Sequence, residues 1–491
     1  MFWELPQEVF DMIVRHLAGN DLDALSRVSR SLHAALAATI WTGIHVDLDG
    51  SDGPIYGSRL HCGNVTRCAN IFRRPSAATR HATRLTFRCG FDSFRSWKAP
   101  CPHGPRPGTG ASWQPAVRWW DERGQRCFNT VIVGATSIVK SLGENQLHAF
   151  SWDIGACVTS ELIEELGRQH LHLQSLQLAT DYKCPGAPED ERRMIDLSPF
   201  QHLRRICWTA PAPHHIQALA DAIQNNRHHL EELDLDLHDG VYLEAAMAEE
   251  YGWVDDRDIL IDILSARNRP SSQPVFPSLR VLRLRSAPFD SESTSQGLYR
   301  AIDFGALESL SLLDCRRSEQ FLAMLRESPT RINLKSLEIQ TSTHTGAEVG
   351  RFVGSFEGLV DLFMSVGVSI LRPPQEDLWH CLSSHRATLK RLVYHKTILL
   401  DWVFGPEGIA SLEVVAVGDF AHGRNGTYLH NIFVCRRGDS SCWESGCRAY
   451  EVFDARDTEH KHEWAALVHP HRSFLEACPG GSFLPQKRYA F

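Results

Sequence analysis

The chain has 491 residues, of which 43% are hydrophobic, so it is long enough to bury the cores of two or three globular domains. A formal net charge of −8 without a basic run excludes an electrostatic attraction to nucleic acid or to anionic membranes. Fourteen scattered cysteines are typical of reduced thiols and exclude a disulfide-rich secreted scaffold.

The N-terminal residues lack the charge pattern of a secretory signal. Glu4, Glu8 and Asp11 lie where a signal peptide would carry positive charge. No apolar run in the sequence reaches the roughly 18 residues that a membrane helix needs. We therefore expect a cytoplasmic or nuclear protein that binds neither membranes nor nucleic acid.

Residues 5–41 predict three short amphipathic helices. Pro6 suits the first helical position, because its φ is fixed and its missing N–H would have no partner there. Gly19-Asn20 ends the first helix, and Asp21 can cap the second. The apolar stripes consist of Val9, Met12, Ile13 and Leu17, then Leu22, Leu25 and Val28, then Leu32, Ala35, Leu36 and Ile40 before Trp41. Three helices this short cannot bury all of that surface among themselves.

These residues resemble the F-box family. The runs LPQEVFDMIVRHL at 5–17 and DLDALSRVSRSLHAAL at 21–36, followed by Ile-Trp at 40–41, lie in that family's register. The resemblance covers residues 4–45, and we assign 1–45 as an F-box domain. It implies docking on the Skp-type adaptor of a cullin-RING ubiquitin ligase, through Leu5, Pro6, Val9, Ile13, Leu17, Leu22, Leu25, Val28, Leu32 and Trp41. The alternative is an ordinary helical cap on a larger domain.

Residues 46–140 predict irregular leading repeats. Short apolar alternations predict strands at Ile44/Val46/Leu48, at Leu85/Phe87 and at Val131/Val133. The Pro- and Gly-rich segment 99–115 has no periodicity, so it predicts a surface or disordered loop.

Residues 141–418 contain an internal repeat of the form L-x-x-L-x-L. Ten matches begin at Leu147, Leu173, Leu203, Leu230, Leu279, Leu307, Leu334, Leu359, Leu389 and Leu412. All but one of the steps between them are close to 27 residues, and such a period indicates a solenoid. The fourth and sixth positions turn inward on a short strand, and helical patterns such as 216–223 and 349–356 lie between strands. Such units stack and share one core.

This segment resembles the leucine-rich-repeat family, with parallel strands on the concave side and helices on the convex side. The family's Asn or Cys after the strand occurs clearly only at Cys315, so the repeats are degenerate. The longest step, between Leu230 and Leu279, predicts a repeat with an enlarged helical side around 259–264. The predicted fold class is thus α plus α/β: a three-helix F-box, a leucine-rich-repeat-like solenoid and a C-terminal cap. An ordinary α/β domain with Leu-rich strands is the alternative.

The remaining strand positions point away from the shared core and could bind a target. They are Glu232, Asp234, Asp236, Arg283, Arg285, Glu338 and Phe363, with Gln340 and Asp361 beside them. Their mixed charge would suit a partner of matching polarity. Equally, these side chains could only solvate the sheet or pair across adjacent strands.

Residues 419–491 break the repeat. They contain Cys435, Cys442, Cys447, Cys478, His460, His462, His469 and His471, which are residue types that bind zinc. No Cys-x-x-Cys occurs there, so the spacing argues against a metal. We interpret the segment as a cap, in which Phe433, Trp443, Tyr450, Phe453 and Trp464 cover the end of the solenoid core.

The sequence lacks a recognisable catalytic motif. It has no phosphate-binding glycine loop, no G-x-S-x-G and no H-E-x-x-H, so we expect a non-enzyme without cofactor or metal. The resemblances imply the substrate-recognition subunit of an SCF-type ubiquitin ligase, bound to a Skp-type adaptor, through it to a cullin, and to an unknown target protein. The organisation is similar to the expanded F-box families of filamentous fungi. Two alternatives are a scaffold without ligase activity and a recognition protein with a vestigial F-box.

Overall fold

The computed structural model divides the chain into two compact units, Met1–Asn226 and Arg227–Phe491. It describes residues 7–17, 19–48, 62–72, 79–88, 122–181, 195–237, 259–264, 274–289, 291–341, 346–366, 381–394, 409, 411–417, 432–436 and 450–454. Within these ranges, no helix is both long and apolar enough to cross a membrane.

Unit 1 begins with the three predicted helices, α1 (Gln7–His16), α2 (Gly19–Val28) and α3 (Arg30–Ile40). The Ser29 side chain caps α3 by accepting a hydrogen bond of 3.1 Å from the backbone N–H of Leu32. Asp21 lies inside the first turn of α2, where its negative charge interacts favourably with the positive end of the helix dipole.

The rest of unit 1 alternates strands with helices. Its strands, all parallel and paired in chain order, are β1 (Gly43–Asp47), β2 (Arg84–Arg88), β3 (Ala149–Asp153), β4 (Ser175–Ala179) and β5 (Arg205–Thr209). Its helices are α4 (Cys62–Phe72), α5 (Glu122–Ser141), α6 (Ser160–Gln169) and α7 (Ile216–Asn226). This part of unit 1 is an α/β, solenoid-like arrangement.

One predicted strand of unit 1 was wrong. Val131 and Val133 lie in α5, where Val131 is buried and Val133 is 69% exposed. A short apolar run does not distinguish strand from helix, and the wider helical spacing of Phe128, Val131 and Ala135 decides it. Gly134 supports the packing of this helix, since a Cβ there would lie 2.8 Å from the Val65 side chain of α4.

Unit 2 continues the same alternation. Seven parallel strands pair in chain order: β6 (Glu232–Asp236), β7 (Val281–Arg285), β8 (Ser309–Leu313), β9 (Ser336–Thr341), β10 (Asp361–Val366), β11 (Arg391–Tyr394) and β12 (Val414–Val417). The described helices are α8 (Ile259–Leu264), α9 (Glu292–Ala301), α10 (Ser318–Glu327) and α11 (Gly346–Val353). Two further strands, β13 (Ile432–Arg436) and β14 (Tyr450–Asp454), pair antiparallel after β12.

The ten sequence matches coincide with the ten strands from β3 to β12. In every match the fourth and sixth positions lie on the strand, and the first position is buried just before it. Within each unit, equivalent positions face each other across the pairs, as Leu282 faces Leu310 and Leu310 faces Leu337. The apolar residues therefore form continuous columns, which explains how units too small to cover themselves are stabilised.

Buried polar side chains close three of the repeats. The Nδ1 of His170 accepts from the backbone N–H of Leu147 at 3.4 Å, and the Nδ1 of His385 accepts from Leu359 at 3.2 Å. The Oδ1 of Asn226 accepts from Leu203 at 2.8 Å. Each acceptor lies at the end of the helical segment of its repeat or directly after it, and it accepts a hydrogen bond from the backbone N–H of the leucine that opens the same repeat. These bonds stabilise the fold, because a buried N–H without a partner costs free energy.

Both imidazoles act in the neutral form. Burial lowers the pKa of His170 to about 4, and burial also lowers the pKa of His385. Since Nδ1 accepts a hydrogen bond, the ring proton is on Nε2, and Nε2 of His385 lies 2.9 Å from the carbonyl oxygen of Val353. His385 thereby contacts both Val353, at the end of α11, and Leu359, which opens the next repeat.

Candidate functional site

The three N-terminal helices have a small core of their own. Phe10 and Val14 of α1 pack with Leu32 and Leu36 of α3, and all four are buried. Leu22, Leu25 and Ile40 are partly buried against this cluster. The helices therefore bury part of their apolar surface among themselves and leave part of it exposed, as at Met12 and Val28.

Phe10 and Val14 were missed by the sequence analysis. They are spaced i, i+4, which places them on one face of α1, and that spacing was readable in the sequence. The predicted stripe included Met12 instead, which the structure leaves 55% exposed. The buried residues Phe10 and Val14 each follow a residue of the predicted stripe, Val9 and Ile13, by one position.

The predicted adaptor contacts fall into four groups. Val28 is 71% exposed, and Leu32 is buried in the helical core. Val9, Ile13, Leu17, Leu22, Leu25 and Trp41 are half-buried. Leu5 and Pro6 lie outside the described residues. An apolar side chain that helix packing leaves exposed can still gain free energy by contact with a partner.

In unit 2, most predicted target contacts meet on one face of β6 to β9. We call Glu232, Asp234, Asp236, Arg283, Arg285, Ser311 and Glu338 the strand-face network. Arg283 forms ion pairs with Glu232 and, at 3.7 Å between Nη1 and Oδ2, with Asp234. Arg285 lies 3.8 Å from Asp236, measured between the same atom types. Cross-strand pairing, an alternative raised by the sequence, is therefore what the structure has.

Glu338 contributes a buried carboxyl oxygen to this network. Burial raises its pKa to about 7, while a hydrogen bond from Ser311 and the charges of Arg285 and Arg283 oppose the shift. Its Oε1 is buried and makes no hydrogen bond within the described residues. The network contains four acidic side chains and two arginines, so its net charge becomes more negative as Glu338 ionises near neutral pH.

Phe363 of β10 differs from the other predicted target contacts. It lies on the network's side of the sheet but is only 3% exposed, and Val393 on β11 beside it is buried too. Asp361 on the same strand forms a two-pronged ion pair with Arg391, with 2.6 Å between Oδ2 and Nη2. Phe363 therefore offers a partner almost no surface.

Of the C-terminal residues that were considered as metal ligands, Cys435 lies on β13. The others, Cys442, Cys447, Cys478, His460, His462, His469 and His471, lie outside the described residues. Among the described residues, the structure instead brings together Cys157, His214 and His215, with ligand atoms within 4.8 Å of one another. No metal site was predicted from the sequence, and this group was missed because its cysteine lies 57 positions before its first histidine.

No protein-family model matches the chain, and no curated protein matches it. The F-box and leucine-rich-repeat resemblances therefore remain predictions from the residues quoted above.

Proposed function

We propose that this protein is a non-catalytic recognition subunit of an SCF-type ubiquitin ligase. In this proposal α1 to α3 dock on a Skp-type adaptor, which connects them to a cullin, and the strand repeats hold a target protein. Catalysis then belongs to other subunits, and the role of this chain is to raise the effective concentration of the target near the ubiquitin carrier.

The observation that carries the proposal is the exposed apolar surface of the N-terminal helices. These helices already have a core, so Met12 and Val28 are not needed to hold them together, yet both are more than half exposed. The half-buried Val9, Ile13 and Leu25 add to the apolar surface. Together with the F-box-like sequence, this favours a protein partner over a helical cap.

The size of the expected effect follows from burial. Covering a Met- or Val-sized side chain completely contributes roughly 1.5 to 3 kcal/mol, and about 1.4 kcal/mol corresponds to tenfold in affinity. Since Met12 and Val28 are only partly exposed, we expect each to contribute roughly tenfold.

The strand-face network supports a polar, protein-type target. Its ion pairs hold Arg283 and Arg285 in fixed positions while about a third of each side chain remains exposed. A preorganised, mixed-charge surface suits the recognition of a partner with complementary charge. The excess of acidic groups over arginines favours a target segment rich in Lys or Arg.

Co-purification with a Skp-type adaptor tests the docking half. The variant Met12→Glu/Val28→Glu places charges on the proposed contact surface without touching the helical core, and it should lose adaptor binding. Val133→Glu is the matched control, because Val133 is an exposed helical valine far along the chain, and it should bind like the wild type. Circular dichroism checks that all three are folded.

Equal adaptor binding by wild type, variant and control would contradict docking through this surface. No binding by the wild type would favour the vestigial F-box, and the protein would remain a repeat protein with another partner. If the adaptor binds but partners captured by the repeats do not accumulate on proteasome inhibition, the scaffold alternative is favoured over the ligase.

A further inference from the structure

Two loops of unit 1 bring a thiol and two imidazoles together. Cys157 lies between β3 and α6, and His214 and His215 lie in the short turn between β5 and α7. Both loops leave the carboxyl ends of their strands, and β4 is the only strand between β3 and β5. Parallel stacking therefore places at one edge of the sheet residues that are far apart in sequence.

The three side chains form a compact group. Sγ of Cys157 and one ring nitrogen from each histidine lie within 4.8 Å of one another. The two histidine rings are 4.0 Å apart between centroids. Tetrahedral zinc with a thiolate and two imidazoles needs separations of roughly 3.3 to 3.6 Å, given Zn–N and Zn–S bonds of about 2.0 and 2.3 Å. Small side-chain rotations would close that difference.

The backbone around the group is held by buried tryptophans. Trp152 donates from Nε1 to the carbonyl oxygen of Ala156, the residue before Cys157, at 2.9 Å. Trp208 donates from Nε1 to Oγ1 of Thr180 at 3.0 Å, and that hydroxyl donates to the carbonyl oxygen of Ala210 at 2.7 Å. These bonds fix the backbone of both loops close to the proposed ligands in the sequence.

Burial gives the group one closed side and one open side. Cys157 and His215 are buried, Cys157 packs on Ala212, and the His215 ring lies 5.5 Å from the ring of Trp208. His214 is half-buried, so it lies at the opening of the group. A metal ion could enter past His214 and still be held mostly away from solvent.

We propose that Cys157, His214 and His215 form a zinc site with one exchangeable position. One thiolate and two neutral imidazoles are a donor set that suits Zn²⁺, whereas hard cations such as Mg²⁺ and Ca²⁺ prefer oxygen. On binding, the Cys157 thiol loses its proton to solvent and forms a sulfur–zinc bond, so the thiolate, the imidazoles and the ion together carry one positive charge. Water fills the fourth position until a carboxylate, thiolate or imidazole replaces it.

The site is independent of the proposed ligase function. It is in unit 1 at the edge formed by β3 to β5, whereas adaptor docking uses α1 to α3 and the strand-face network is in unit 2. An alternative hypothesis is that Cys157 and a histidine form a nucleophilic pair without a metal ion. That hypothesis predicts that Cys157 is alkylated at a rate that added Zn²⁺ does not change.

Zinc binding to the full-length chain tests the proposal. The protein is stripped with a chelator, and ZnCl₂ alone is titrated against a competing chromophoric chelator. Cys157→Ser and His214→Gln should each bind one zinc ion fewer than the wild type, or should bind one ion much more weakly. The loss of affinity should exceed the roughly 10- to 100-fold that removal of a hydrogen-bond partner of a metal ligand costs. Co²⁺ should give a thiolate-to-cobalt charge-transfer band that Cys157→Ser lacks.

Matched controls separate this site from other cysteines and histidines of the chain. Cys207→Ser removes another buried thiol of unit 1, and His202→Gln removes an imidazole that contacts His172 instead of the group. Both controls should retain the stoichiometry of the wild type. If Cys157→Ser fails to fold by circular dichroism, His214→Gln decides, since His214 is half-exposed. Equal zinc content and affinity in wild type and in His214→Gln would overturn the proposal.

Discussion

The N-terminal helices and the strand repeats use apolar residues in opposite ways. The helices pack four buried apolar side chains into one cluster and leave Met12 and Val28 exposed. The repeats bury the first leucine of every match and even bury polar groups such as His170 and Asn226. The helices therefore leave apolar surface uncovered, whereas the first leucines of the repeats are covered by neighbouring repeats. The two regions have separate cores, so each should respond to substitutions in its own core.

The largest expected effect comes from removing one buried leucine in each region. Leu310→Ala in β8 should lower the free energy of unfolding of unit 2 by about 2 to 5 kcal/mol, because it opens a cavity in a continuous apolar column. Leu36→Ala opens a similar cavity in the small helical core and should loosen α1 to α3 alone. Urea unfolding with hydrogen exchange resolved by peptide measures both. Loss of exchange protection in the repeats of the Leu36→Ala variant would contradict this separation.

The second prediction concerns the pH dependence of stability that the buried His170 should cause. Unfolded His170 takes up a proton near pH 6.5, but folded His170 does so only near pH 4. Between these values the unfolded state binds more protons, so the stability of unit 1 should fall as the pH falls from about 6.5 to about 4, by about 3 kcal/mol in total. His170→Asn should remove this dependence, because an amide does not take up a proton in this range.

Asn226 makes the His170→Asn variant a fair test, since it is an amide that already performs the same role in another repeat. The control is His172→Asn, which removes an exposed imidazole two residues away. Chemical denaturation at several pH values gives the slope for each protein. An unchanged slope in His170→Asn would mean that His170 does not carry the effect.

The smallest effect is expected in the strand-face network. The pKa of Glu338 is raised, so the folded protein keeps a proton that the unfolded chain has lost, and stability should fall as the pH rises from about 4.5 to about 7. Glu338→Gln should therefore stabilise unit 2 above pH 7, by roughly 1 kcal/mol after allowance for solvent screening. Thermal unfolding at pH 5 and pH 8 measures the change. Glu232→Gln breaks the ion pair with Arg283 and should have the opposite sign.

The sequence predicted the strands well for a physical reason. Each strand from β3 to β12 points two side chains into the core and follows a buried leucine. These three positions have the same spacing in every repeat, so the sequence shows it. At Val131 and Val133 a strand was predicted where the structure has a helix, because a three-residue apolar run fits both the strand period and the helix period until its flanking residues are counted.

The candidate sites and the buried polar contacts were less predictable because they join residues that are distant in the sequence. His170 and His385 are polar residues in a buried place, and their partners lie 23 and 26 residues away along the chain. The pairing of Arg283 with Glu232 became visible only once β6 and β7 were placed in register. Cys157 and His214 lie two repeats apart, and no local pattern connects them.

The pairing of each strand with its nearest neighbour in sequence also has a kinetic meaning. Within each unit, the parallel pairs join segments that follow one another along the chain, so each pair closes only one modest loop. Folding can therefore nucleate at any adjacent pair of repeats and spread in both directions, as a zipper closes, without waiting for the chain ends to meet. Repeats made early during synthesis on the ribosome can then already be folded while later ones are still being added.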